Sequence, residues 1–135
     1  MVADTLVDSN VLLDLLTEDP RWLEWSSEAV ETAGSEGRLL LNPIIYAEVS
    51  VDFTRIEDLD LAFPTQFFER VPLPWAAAFL AGKCFQQYRR RGGEKTSPLP
   101  DFYIGAHAAV AGARLLTRDP RRYRTYFPKL ELIAP

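Results

Sequence analysis

The chain has 135 residues, 47% hydrophobic and 12% aromatic, which suits one domain with a full core and argues against disorder. Its apolar runs fall far short of the roughly 20 residues that a membrane span needs. The N-terminus lacks a basic region followed by an apolar core, and Cys84 stands alone, which excludes an internal disulfide or a cysteine-based zinc cage. A cytoplasmic protein is the simple expectation. The net charge of −4 hides a division, since residues 1–82 carry 4 Arg against 15 Asp or Glu (−11) and residues 83–135 carry 11 Lys or Arg against 4 Asp or Glu (+7).

Thr5 to Val7 read as a short buried strand, stopped by Asp8-Ser9-Asn10, with Ser9 or Asn10 available to cap the apolar helical run that follows. Asp19-Pro20 suits a helix start, and Trp22, Leu23, Ala29, Val30 and Ala33 recur at helical spacing up to Gly34 and Gly37. Arg38 to Leu41 is a uniformly apolar strand of the kind that a parallel sheet buries on both faces. Asn42-Pro43 caps a helix from Ile44 to about Arg55 carrying Glu48, and a second helical stretch spans Glu57 to Phe68, bounded by Pro64. Val71-Pro72-Leu73 reads as an edge strand, where a proline is tolerated.

Pro74 opens a long helix closed by Gly92-Gly93, with Arg89, Arg90 and Arg91 at its end, where the helix dipole favours positive charge. A polar loop leads to Asp101, which begins a helix rich in Gly and Ala. Arg114 to Thr117 is the next strand, ended by Arg118-Asp119-Pro120, and Leu130 to Ile133 is the last. Strands alternating with helices through short links give a parallel α/β sandwich.

Four acids stand out by place. Asp8 and Asp119 follow strands, Glu48 lies early in a helix after a strand, and Asp101 lies in a first turn. In a doubly wound sheet these positions share the edge where ligands bind. Carboxylates brought together repel unless a cation compensates. Oxygen-only ligands suit Mg²⁺ or Mn²⁺, which lower the pKa of a bound water and stabilise a phosphoryl transition state. Asn10 and Thr117 supply polar side chains beside them. Their alternative is turn chemistry.

The basic half offers phosphate contacts at Arg89, Arg90, Arg91, Lys95, Arg118, Arg121, Arg122 and Arg124. Tyr123, Tyr126 and Phe102 lie among them and can stack on bases or fill the core. The same charge asymmetry also fits halves that attract one another or another subunit. His107 and Cys84 read as core residues, and Asp14, Asp52, Asp58 and Asp60 as surface charges.

Leu6 to Leu12, Tyr46-Ala47-Glu48-Val49, Pro100 to Ala108 and Leu116 to Pro120 resemble, in order, the four acidic blocks of the PIN domain. Their order and the whole length resemble the VapC toxins of type II toxin–antitoxin pairs. The resemblance implies a single PIN domain over residues 1–135, with a three-layer α/β/α sandwich around a short, mainly parallel sheet. It implies a Mg²⁺- or Mn²⁺-dependent endoribonuclease, a homodimer, and inhibition by a VapB-like antitoxin. Asp8, Glu48, Asp101 and Asp119 match the metal-binding and catalytic acids, and Asn10 and Thr117 the polar positions beside them.

Two other readings remain. One is a PIN nuclease in RNA processing; the other is a non-catalytic module in which the acids only dock a partner. A phosphatase forming an aspartyl-phosphate, or a phosphorylated receiver domain, fits poorly. Position 10 is Asn rather than Asp, and Lys83 and Lys95 fall in a helix and a loop rather than near a later strand.

Overall fold

Residues 3–135 are described by a computed structural model of the chain. Thr5–Val7 (β1) is wholly buried and runs directly into helix α1 (Ser9–Thr17). Only Asp8, itself extended, stands between the two, and it is the cap. Asp8 Oδ1 accepts from Ser9 N at 2.8 Å, and neither Ser9 nor Asn10 takes that role. Asp19 accepts from the backbone N–H groups of Arg21 and Trp22 at 2.8 and 3.0 Å. This turn leads into α2 (Leu23–Glu36), three residues later than Pro20 suggests. At Gly37 an added Cβ would lie 2.2 Å from the Ala3 carbonyl oxygen, so only glycine lets this turn pass the N-terminal segment.

Leu39–Leu41 (β2) is buried throughout, as a strand covered on both faces should be. Asn42 then caps α3 (Pro43–Ser50) by accepting from Ile45 N at 2.9 Å. This helix stops at Ser50, short of the expected Arg55. Ser50 Oγ bonds back to the Tyr46 carbonyl at 2.6 Å, and the chain turns through residues 51–55. α4 (Ile56–Ala62) is likewise shorter than expected, and Phe68 belongs to the next strand, β3 (Phe68–Arg70). The pairing of β3 with β2, Leu39 with Phe68 and Leu41 with Arg70, displaces the strand from the expected Val71–Leu73. Phe68 anchors it by burying its ring edge-on against Phe63, while Pro72 and Pro74 have no N–H to extend a ladder.

α5 (Trp75–Arg90) and α6 (Pro100–Ala111) return the chain to β4 (Arg114–Leu116), followed by α7 (Arg121–Tyr126) and β5 (Leu132–Ile133). The strand order is β3-β2-β1-β4-β5, and every neighbouring pair is parallel. Right-handed crossovers running left from β1 and then right from β1 put their helices on opposite faces. The packing agrees: α1 lies against α2 and α3, and α6 against α5 and α7. The result is a three-layer α/β/α sandwich. At Gly105 of α6 an added Cβ would lie 2.4 Å from the Phe127 ring, so the small residues of this helix do permit a close approach.

Candidate active site at the carboxyl edge of the sheet

Parallel strands end on one edge, so Asp8 after β1, Asn42 after β2 and Thr117 after β4 stand side by side. Asp8 is the centre of the resulting network and is 4% exposed. Its Oδ2 accepts from Thr117 Oγ1 at 2.8 Å and from the Tyr123 hydroxyl at 3.0 Å, with Asn10 Nδ2 at 3.5 Å. The Tyr123 hydroxyl is also 3.3 Å from Asp101 Oδ1, so one phenol bridges two carboxylates. Ser9 links the third acid by donating from Oγ to Glu48 Oε1 at 3.0 Å. Asp119 is tied in through its backbone, whose N–H donates to Thr117 Oγ1 at 3.1 Å. Its side chain is exposed and shares a cleft of about 440 Å³ with Asp101, Arg121 and Arg122.

The electrostatics follow from burial and crowding. Loss of solvent, with the Asp101 charge adding, lifts the Asp8 carboxyl to about 6 against the donors that oppose it. Burial first, then the charges of Asp8 and Asp101, raise Glu48 as well. The Tyr123 phenol is pushed far above its ordinary range by burial and both carboxylates, so it stays protonated and donates. Burial lowers His107, whose Nδ1 lies 3.0 Å from Asn42 Nδ2. An amide donor there requires an acceptor nitrogen, so His107 is neutral and serves to hold the α3 cap. Cys84 is buried in the core.

These residues form an all-oxygen, anionic set, in which burial first and neighbouring carboxylates second raise Asp8 and Glu48. That chemistry fits Mg²⁺ or Mn²⁺. Among the described residues no three acid, histidine or cysteine side chains converge tightly enough to hold an ion by themselves. Mg²⁺ ordinarily takes one or two carboxylates and keeps several waters, so Asp8 and Asp101, bridged by the Tyr123 hydroxyl, are the two acids that would hold such an ion.

The structure brings together Asp8, Asn10, Glu48, Asp101, Thr117 and Asp119, and it redistributes several others. Arg118 is turned inward onto Asp14, with which it makes bonds of 2.8 and 3.0 Å. Its side chain is therefore not presented as a phosphate contact. Asp14 is accordingly 2% exposed rather than a surface charge, because α2 covers it. Arg89 donates to the carbonyls of Gly93 and Lys95, both at 3.1 Å, and so closes the turn after α5. Arg122 contacts Asp101 at 3.2 Å. Arg91 lies over the Tyr126 ring at 5.2 Å, and Arg90 and Arg121 are exposed.

Tyr123 and Phe102 are buried, at 1% and 0% exposure, so neither ring can stack on a base. Tyr123 is the contributor that charge and motif reasoning misplaced. Its signal was periodicity: Tyr123 and Phe127 are four apart and face inward, whereas Arg121, Arg122 and Arg124 face out. Ser9 had no signal beyond its place next to Asp8.

The PIN domain family model matches residues 5–128. The chain belongs to the PIN domain family. A search of curated proteins finds no match. Among solved structures, this PIN domain is similar to a chain of VapBC2 from Rickettsia felis, bound to a DNA fragment from its promoter. The TM-score is 0.75 over 98% of each chain at 15% identity. VapBC-1 from nontypeable Haemophilus influenzae gives 0.72 over 97% of each chain at 17% identity. DNA-bound VapBC from Salmonella typhimurium gives 0.68 at 19% identity, covering 99% of this chain and 98% of that one. At these identities the likeness is one of fold.

Proposed function

We propose that this PIN domain is a Mg²⁺- or Mn²⁺-dependent endoribonuclease, acting as the toxin of a type II toxin–antitoxin pair. The observation that carries the reading is the buried Asp8 carboxylate, linked through Tyr123 to Asp101 and through Ser9 to Glu48. An ionisable group buried beside other acids costs stability, and cation binding is the function that offsets it. Asp8 and Asp101 would hold the ion, with Glu48 and Asp119 reaching it directly or through water. When bound, the ion supplies charge neutralisation and a more acidic water for attack on the phosphodiester. Tyr123 holds the two anchoring carboxylates at a fixed separation, Thr117 and Asn10 bond the same Oδ2 of Asp8, and the Ser9 N–H fixes its Oδ1.

RNA is proposed as the substrate from the resemblance of the motif blocks, and Arg91, Arg121 and Arg122, on or against α7 beside Asp101 and Asp119, support contact with a phosphate backbone. A VapB-like antitoxin and a homodimer are proposed from the resemblance of the motif blocks, and the fold likeness to VapBC chains supports the first. No helix among the described residues is long and apolar enough to cross a membrane.

The test is cleavage of total cellular RNA by the purified, antitoxin-free protein, with Mg²⁺ or Mn²⁺ against EDTA, beside Asp8→Asn and Asp101→Asn. Discrete products that need the metal and both acids are expected. Wild-type cleavage by either folded variant would refute the assignment. A folded wild type that cleaves nothing would favour a docking module.

A further inference from the structure

The loop after β4 is fastened to helix α1 at three points. Thr117 Oγ1 donates to Asp8 at 2.8 Å, and the Arg118 backbone N–H donates to Asn10 Oδ1 at 3.0 Å. The Arg118 guanidinium then grips Asp14 with both prongs, Nε to Oδ2 at 2.8 Å and Nη2 to Oδ1 at 3.0 Å. Helix α2 closes over this last tie. Ser26 Oγ donates to Asp14 Oδ2 at 2.7 Å, and the Trp22 ring lies 5.3 Å from the Arg118 guanidinium carbon. The carboxylate is 2% exposed.

A two-pronged arginine–carboxylate pair fixes orientation as well as distance. A pair with its carboxylate buried is also a poor stabiliser, because desolvating the acid offsets much of the attraction. What it supplies here is geometry. Arg118 immediately precedes Asp119, and the Asp119 N–H is bound in turn by Thr117 Oγ1 at 3.1 Å. The peptide carrying Asp119 is thus held on both sides, while its carboxylate is left free in the cleft shared with Asp101.

We propose that Asp14 and Arg118 form a half-buried clamp of positioning residues that holds Asp119 in the cleft it shares with Asp101, so that it can contribute to binding the same divalent cation. Neither residue touches the ion or the substrate; both act through the loop. This rests on the reading of the acids as a divalent-cation site.

The test is Mn²⁺ binding by isothermal titration calorimetry to protein without RNA, beside hydrogen exchange of the residue 118–119 amides and a thermal melt. The double variant Asp14→Leu/Arg118→Met removes both charges together and leaves none unpaired. It should melt near the wild type, exchange the loop amides faster, and bind Mn²⁺ about 10–100-fold more weakly, as loss of a supporting partner does elsewhere. Arg118→Lys keeps the charge but loses the second prong, and should fall between. A folded double variant with wild-type Mn²⁺ affinity overturns the proposal. Should the double variant not fold, wild-type affinity in Arg118→Lys overturns it equally. A wild type that binds no Mn²⁺ overturns the parent reading, and that failure is distinct because it appears before any variant is made.

Discussion

Removing the charge at Asp8 should stabilise the protein at neutral pH, and the size of the effect can be worked from its surroundings. The Asp8 carboxyl stands at about 6 in the folded chain against 3.8 for an unperturbed aspartate, a gap of about 2 units or about 3 kcal/mol at 1.36 kcal/mol per unit. The folded-state pKa is the higher one, so between pH 4 and 6 the folded form binds more protons than the unfolded form. Stability from this group therefore falls as pH rises through that window and is flat above it. Glu48, also raised, acts in the same direction.

Asn at position 8 keeps an oxygen for the Ser9 N–H, while its amide group turns the Thr117 and Tyr123 hydroxyls from donors into acceptors. The assay is urea unfolding followed by circular dichroism at pH 4.5, 5.5, 6.5 and 7.5 in EDTA, wild type beside Asp8→Asn. Across these pH values the gap between them should widen by about 2 kcal/mol in favour of the variant, the remaining ~1 kcal/mol lying below pH 4.5. Added Mg²⁺ at pH 7.5 should stabilise the wild type and leave Asp8→Asn unmoved, since ligand binding to the folded state alone raises stability by mass action. A difference between the two proteins that does not vary with pH would refute the argument that Asp8 is held against its own ionisation.

Gly105→Ala should destabilise by about 1–3 kcal/mol, read in the same urea experiment, because its Cβ would meet the buried Phe127 ring at 2.4 Å and one of the two must move. Arg91→Ala with Arg121→Ala should weaken binding of single-stranded RNA, measured in an Asp101→Asn background in EDTA so that, on the proposed reading, the RNA is not cut. For every phosphate that is no longer neutralised, the slope of log affinity against log salt should become shallower by about 0.7. An unchanged slope would remove those arginines from the RNA path.

The acids were legible because their places follow from local rules. A strand three residues long ends where its apolar run ends, and a parallel sheet makes every such end share an edge, so Asp8 and Asp119 could be located without knowing any distance. Glu48 and Asp101 followed from helix starts at Asn42-Pro43 and Pro100. Boundaries that depend on partners were not legible. β3 took Phe68–Arg70 because β2 selects its register and Phe63 its anchor, and neither fact lies in the strand's own residues. Side-chain direction was less legible still. Asp14 and Arg118 are 104 positions apart, and charge alone reads each as solvated. Only the packing of α2 against α1 turns both inward.

That inward turn also alters what the charge division means. The basic half commits Arg114 to Glu36, Arg118 to Asp14 and Arg122 to Asp101, two of these partners lying in the acidic half. The halves thus attract one another in part, as the charge count alone allowed. What remains is positional: Arg90, Arg91, Arg121 and Arg124 make no ion pair among the described residues. Asp8 and Glu48 come from the acidic half, and Asp101 and Asp119 from the basic one, so the site sits on the seam. On the proposed reading, a polyanion is drawn to the α5–α7 side and repelled on the other, so its backbone approaches the acids from one direction. The cation at the seam is then what permits a phosphate to cross from the arginines to four carboxylates that would otherwise turn it away.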